Sequence, residues 1–181
     1  MTTALTCPGL RAPSARAGTF AETAAFGDVV VVALKGTAAE GVVGPIAGSL
    51  AGKTVLDATN PIAEAPPVNG ILPFFTGPNE SLMERLQKAA PEARFVKAFS
   101  CVGNPFMFRP SFPGGPPTMF ICGNSDEAKA AVTAILQDFG WEAADIGKVE
   151  GARAIEPLCQ LWCAPGLLRN QWTHAFKLLK L

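Results

Sequence analysis

Few residues in this chain could do chemistry by themselves. His174 is the only histidine, and no cysteine or carboxylate stands near it at metal-ligand spacing. Cys159 and Cys163 lie four apart, so they share a face of any helix that carries them. Two thiols make only half a zinc site, and cysteine is among the most buried residue types, so core packing is expected. Gly48-Ser49-Leu50-Ala51-Gly52-Lys53-Thr54 imitates a phosphate loop but is one residue short of the G-x-x-x-x-G-K-S/T spacing. It also leads from a helical pattern into a strand, the reverse of a phosphate loop, and reads as a helix end and a turn. No G-x-G-x-x-G occurs, the pattern that lets a backbone approach a pyrophosphate closely. Neither a Ser-His-Asp set nor a hydrolase-type pair of carboxylates is present.

What remains is positional. Val29 to Leu34 is a continuous apolar run of the kind buried on both faces of a parallel sheet. Thr54-Val55-Leu56-Asp57, Arg94 to Phe99 and Thr118 to Cys122 read as further strands, and a short one falls near Glu142 to Ile146. Helices separate them. Thr19-Phe20-Ala21-Glu22 and Ser81-Leu82-Met83-Glu84 are capping boxes. Ala38 to Leu50 is helical but interrupted by Gly41, Gly44, Pro45 and Gly48. Ser125 opens a helix with Ala131, Val132, Ile135, Leu136 and Phe139 at helical spacing, stopped by Gly140. Residues 58–80 form a long excursion and 103–117 a Pro- and Gly-rich loop. From Val149 the pattern is helical again, broken at Pro165-Gly166 before a last apolar helix ending in Phe176, Leu178 and Leu179.

Strands alternating with helices predict a doubly wound α/β domain with a mainly parallel sheet and a helical C-terminal tail. Ligands of such sheets sit at the carboxyl ends of the strands. Here those ends read Leu34-Lys35-Gly36, Asp57-Ala58-Thr59-Asn60-Pro61 and Ala98-Phe99-Ser100-Cys101.

Composition excludes other classes. Hydrophobic residues are 49%, charged residues 17% and the formal net charge is zero, which argues against disorder, nucleic acid and anionic membrane surfaces as partners. The five scattered cysteines, Cys7, Cys101, Cys122, Cys159 and Cys163, point to a reducing cytoplasm rather than a disulfide framework. Arg11 and Arg16, with no acidic residue in 1–19, fit an organelle transit peptide only weakly, because no amphipathic face accompanies them. The expected organisation is an N-terminal segment over 1–18 and one domain over 19–181.

Phe20-Ala21-Glu22-Thr23-Ala24-Ala25-Phe26-Gly27-Asp28-Val29-Val30, Leu56-Asp57-Ala58-Thr59-Asn60-Pro61, Val96-Lys97-Ala98-Phe99-Ser100 and Pro117-Thr118-Met119-Phe120 together resemble NADP oxidoreductases of the coenzyme F420-dependent type. The resemblance runs from about Arg16 to the C-terminus. It implies a Rossmann-like fold and hydride exchange between NADPH and a deazaflavin, a flavin or another small acceptor. It also implies that Leu34, Asn60, Pro61, Ala98 and Phe99 line the nicotinamide side, with Ser100, Cys101, Asn104 and Trp162 on the acceptor side. A homo-oligomer is compatible with it.

Family members carry a strand, the glycine loop, a helix and a second strand before the region that Thr19 begins to resemble. On a 3-2-1-4-5 order, two strands would then stand between 29–34 and 54–57, a separation of roughly 14 Å that no ladder bond spans. Direct pairing of 29–34 with 54–57 is the expected compact solution. Two readings follow: an enzyme with impaired NADP binding, or a cofactor-deficient module that acts through its surface.

Overall fold

The computed structural model describes residues 16–181. The first fifteen residues, with Cys7, Arg11 and most of the stretch weighed as a transit peptide, lie outside the described part. Local signals open the chain as expected. Thr19 caps α1 (Phe20–Phe26) through a reciprocal capping box with Glu22. β1 (Val29–Val32) follows, then α2 (Gly36–Val43), a 3-10 turn over Gly44–Ile46 and α3 (Ala47–Leu50). The helical pattern breaks into three pieces at Gly44-Pro45, while Gly41 and Gly48 stay inside α2 and α3. The imitation phosphate loop is the end of α3, a left-handed Gly52 (φ 71°) and β2 (Thr54–Asp57).

Within the excursion after β2, Asn69 and Gly70 take positive φ (49° and 79°) and close a two-residue hairpin between Val68 and Ile71. Ser81 then caps α4 (Leu82–Ala89) by a second box, with Glu84. β3 (Arg94–Lys97), β4 (Thr118–Ile121), α5 (Asp126–Asp138) and β5 (Glu142–Asp145) follow. α5 ends in a Schellman arrangement. Gly140 takes φ 83°, and the N–H groups of Gly140 and Trp141 reach back to Gln137 and Leu136.

β1, β2 and β3 form a parallel sheet in that order, with Val31, Leu56 and Val96 in register. The strand at 29–32 therefore lies directly against 54–57, as direct pairing required. β4 and β5 also pair in parallel, but an antiparallel bridge between Lys97 and Cys122 joins β4 to β3. The expectation of one parallel sheet through 118–122 is corrected here. The connection from β3 to β4 contains only a 3-10 turn (Asn104–Phe106), with no crossover helix to bring the chain back to the starting side.

Apolar side chains fill both faces of β2 and β3. One face carries Val55 and Phe95 under α2, α3 and α4, with Leu50, Leu82, Met83 and Leu86. The other carries Leu56 and Val96 under α5, with Val132, Leu136 and Trp141. β1 departs from the expected two-sided burial: Val29 is 40% and Val31 59% exposed, while Val32 is buried. α5 reaches β2 and β3, and no described element covers this face of β1.

The C-terminal part is helical through α6 (Ala152–Ile155) and α7 (Pro157–Arg169). Pro165 sits inside α7 without breaking it; the carbonyl it leaves unbonded belongs to Leu161, whose exposure lets water serve instead. The expected last helix does not form. Asn170 ends α7 in a left-handed cap (φ 55°) and residues 171–181 form neither helix nor strand. A Cβ at Gly166 would overlap the Trp172 ring, so the glycine is what lets the tail fold back. Thr118 donates its N–H to Phe176 (2.9 Å) and accepts from the N–H of Leu178 at its hydroxyl (3.0 Å), which ties the tail to β4.

Candidate functional site

The three strand ends singled out by position converge. β1, β2 and β3 stop at registered residues, so Leu34-Lys35-Gly36, residues 58–61 and residues 98–101 lie along one edge of the sheet. A Cβ at Gly36 would overlap the Asn60 carbonyl; only glycine allows the start of α2 to approach the loop after β2 so closely. No side chain caps α2, so its N-terminal dipole is left for other use.

The Asn60 amide donates to the Ser100 carbonyl at 3.1 Å, tying the loop after β2 to the loop after β3. Its own Oδ1 is buried without a partner, and so is the Ser100 hydroxyl, in a residue only 4% exposed. A buried acceptor and a buried hydroxyl left unpaired cost about 1–3 kcal/mol each, and a ligand that meets both recovers that cost.

Beneath this edge lies a buried ion network that sequence reasoning missed. Lys97, fully buried at the end of β3, places its ammonium 2.7 Å from Asp57 of β2 and 2.9 Å from Glu156 at the start of α7. The approach to Asp57 Oδ2 is off-line for a hydrogen bond, so the attraction there is Coulombic. Lys97 Nζ also donates to the Thr59 carbonyl at 2.9 Å, one residue before Asn60. Asp57 Oδ1 accepts from the Thr59 N–H (2.9 Å) and hydroxyl (2.6 Å). Glu156 accepts the N–H groups of Leu82 (2.9 Å) and Met83 (3.0 Å), the uncapped donors that begin α4. Burial by itself would lower the Lys97 pKa; Asp57 and then Glu156 more than offset that, holding it above the ordinary lysine value. Asp57-x-Thr59 in sequence already suggests an Asx-type turn. Nothing in sequence pairs Lys97 with Glu156, 59 residues on.

The remaining candidates divide. Leu34 packs on the core of the α2–α4 face, and Pro61 is buried. Ala98 is fully buried. Phe99 holds a left-handed backbone (φ 59°) at the turn, while its ring packs in the opposite core, 6.1 Å from Phe139 and 6.5 Å from Trp141. It shapes the edge through its backbone. Cys101 is buried and its thiol is pushed up to about 12 by burial, so it stays protonated at neutral pH. Asn104 is exposed at the start of the 3-10 turn. Trp162 packs over Gly103, donates to the His174 carbonyl (2.9 Å) and stacks on His174 at 5.2 Å, so it holds the tail. Cys159 and Cys163 lie one turn apart within α7, Cys159 buried and Cys163 half-buried. Among the described residues no group of three or more His, Cys, Asp or Glu could hold a metal, and no helix is long and apolar enough to cross a membrane.

The family model described as NADP oxidoreductase coenzyme F420-dependent matches residues 7–61, which end at the Asn60-Pro61 corner. That match begins before Arg16 and stops well short of the C-terminus; beyond it the likeness is one of fold. A putative F420-dependent NADP-reductase from Arthrobacter sp. FB24 superposes with a TM-score of 0.83 at 28% identity, covering 90% of this chain and 74% of its own. A hypothetical protein from Sinorhizobium meliloti shares the fold with a TM-score of 0.62 at 22% identity, covering 88% of this chain and 70% of its own. No curated protein matches by sequence. In this chain β1 pairs directly with β2, so no gap for two further strands stands between them. By family model over its first third and by fold over most of its length, the chain is similar to Rossmann-type NADP oxidoreductases of the coenzyme F420-dependent kind.

Proposed function

We propose that the edge formed by Gly36, Asn60 and Ser100 is the nicotinamide side of an NADP-dependent oxidoreductase that exchanges hydride between NADPH and a small acceptor, a deazaflavin or flavin. The observation that carries this reading is the pair of buried, unpaired polar atoms, Asn60 Oδ1 and Ser100 Oγ, on two linked loops at adjacent strand ends. A carboxamide offers an N–H for the first and a carbonyl for the second. The bound cofactor would supply the hydride; the chain would supply orientation and a dry wall, with no side-chain nucleophile. Pro61, Ala98 and the Phe99 backbone would fix that wall, and Lys97 would hold the Thr59-Asn60 corner through the Thr59 carbonyl. Cys101 and Asn104 are the residues proposed to face the acceptor.

The phosphate side fits less well, because the sequence holds no glycine loop. This favours weak binding, and a cofactor-deficient interaction module is the second reading. Saturation-transfer NMR with NADPH tests both. Contact at the nicotinamide protons is expected, with affinity weaker than low micromolar, which corresponds to roughly −8 kcal/mol. Asn60→Leu should abolish that contact while lowering thermal stability far less, by the one hydrogen bond to the Ser100 carbonyl. No contact at the nicotinamide protons, or contact that survives Asn60→Leu, would remove the site.

A further inference from the structure

The excursion after β2 is an arm that leaves and returns at the candidate site. It departs at Pro61, the residue after Asn60, and comes back at Phe75, whose N–H donates to the Pro61 carbonyl at 2.9 Å. Both feet are anchored. Pro61 is buried, and Phe75 packs on the core of the α2–α4 face with the Arg85 guanidinium over its ring. Between the feet, Ala63 donates to Pro73 and Val68 exchanges backbone bonds with Ile71, so residues 62–74 hold their own shape. Yet none of residues 62–74 is buried, and their ties to the rest of the fold are sparse. On one side Glu64 meets Lys35 (2.6 Å) and Thr37 (3.4 Å), in an ion pair whose side chains are 65% and 68% exposed. On the other, Gln160 of α7 donates to the Leu72 carbonyl at 2.6 Å, and Leu168 rests on Gly70. A cleft of about 260 Å³ lies between Phe74 and the start of α7 at Pro157 and Gln160.

We propose that residues 62–74 are a lid over the Asn60–Ser100 edge, closed in this structure, which swings on its Pro61 and Phe75 feet to admit a ring. Asn60 Oδ1 and Ser100 Oγ are both buried, so a ligand reaches them only after a covering segment moves. The arm is the segment whose base stands on that corner, and two fixed feet are the ends a hinge needs. Few buried contacts and exposed ties put a segment at the low end of local stability, from which lids are drawn. An exposed ion pair and a single hydrogen bond each contribute little, so the closed position is readily left and regained. Lifting the arm as a unit breaks no hydrogen bond of its own hairpin. The inference rests on the nicotinamide reading for what passes beneath the lid, but the opening itself needs no cofactor.

Alkylation of a reporter thiol, in the full chain without NADPH, reads that opening. Ser100→Cys and, in a second chain, Asn60→Cys place a thiol at each buried position, with labelling by iodoacetamide located by tandem mass spectrometry. Each reporter should be labelled more slowly than an unfolded thiol but faster than Cys122, which is fully buried in the core. The reporter rate should hardly change in dilute urea, because lifting the arm exposes little surface, while Cys122 labelling climbs with the global transition. Glu64→Gln with Gln160→Ala should speed the reporters about fifteenfold, about threefold from the ion pair and about fivefold from the hydrogen bond. Carbodiimide should join Lys35 to Glu64 as an amide and all but stop reporter labelling; the same treatment of a Glu64→Gln chain should not. Because no cofactor is present, these outcomes stand apart from whether NADPH binds. Reporters labelled only in step with Cys122, labelled as fast as an unfolded thiol, or indifferent to the Lys35–Glu64 cross-link would each overturn the lid.

Discussion

Replacing Lys97 by methionine isolates the buried network, because the two side chains have similar length and only the charge and its donors are lost. In the wild type one ammonium stands between two carboxylates, at 2.7 Å and 2.9 Å, with none of the three exposed by more than 3%. Without it, Asp57 and Glu156 face each other as like charges in a site that water does not reach. Removing one partner of a buried pair costs about 3–5 kcal/mol. Both carboxylates keep other donors here, Thr59 for Asp57 and the Leu82 and Met83 amides for Glu156, which argues for the lower half of that range. A loss of about 3–4 kcal/mol is a large part of a typical domain's stability of about 5–15 kcal/mol. For a chain of this length it lowers the melting temperature by roughly 6–16 °C. Urea denaturation at neutral pH gives the free energy directly, from the midpoint at constant m value. Asp57→Asn in the Lys97→Met background should restore part of the loss, because it removes the repulsion. The sign of the pH dependence is fixed by the raised Lys97 pKa. A cation whose pKa is higher folded than unfolded contributes fully below the unfolded value and loses its contribution as pH rises through the folded value. The difference between wild type and Lys97→Met should therefore be flat from pH 6 to 9 and shrink only above the ordinary lysine value of 10.5. A cost under about 1 kcal/mol, or a difference that already shrinks between pH 7 and 9, would show that the network does not hold the β2–β3 edge together.

Three further outcomes are expected. Gly36→Val should destabilise the chain by more than about 2 kcal/mol in the same urea assay, because its side chain meets the Asn60 carbonyl rather than a movable group. Gly166→Ala should release the tail: Trp172 emission should shift to the red while the urea midpoint changes little, and an unchanged spectrum would contradict the docking of Trp172 on α7. Alkylation with iodoacetamide at pH 8, read by peptide mass spectrometry, should modify Cys163 before Cys101, Cys122 or Cys159. The neighbouring Cys159 thiol holds the Cys163 pKa below the ordinary thiol value, while burial pushes Cys101 and Cys122 up to about 12. Earlier labelling of Cys101 would refute this order.

The elements that could be read from sequence are those whose causes are local. The capping boxes at Thr19 and Ser81 decide two helix starts within four residues, and the Gly140 cap needs only its own φ. The valine run is a strand wherever it lies, because β-branched side chains favour the pleated backbone. The switch-point rule placed the candidate edge at three strand ends for a similar reason: parallel strands joined by helices must all end on one side.

What the sequence could not settle depends on which distant segment arrives. Burial of β1 on both faces was expected from its own composition, but cover is supplied by other elements, and α5 reaches only as far as β2 and β3. The direction of β4 follows from a 20-residue connection whose lack of a crossover helix shows only in three dimensions. Pro165 marks a break when helix propensity is read along the chain. Packing of α7 over its buried face, with Leu161 exposed to water, makes the missing hydrogen bond tolerable, and Gly166 then receives Trp172 where a new helix was expected. The Lys97 network shows the limit most plainly. A lysine in a strand and a glutamate before Pro157 carry no local mark of partnership, since the charge of each is affordable in the core only once the fold has brought the other within 3 Å.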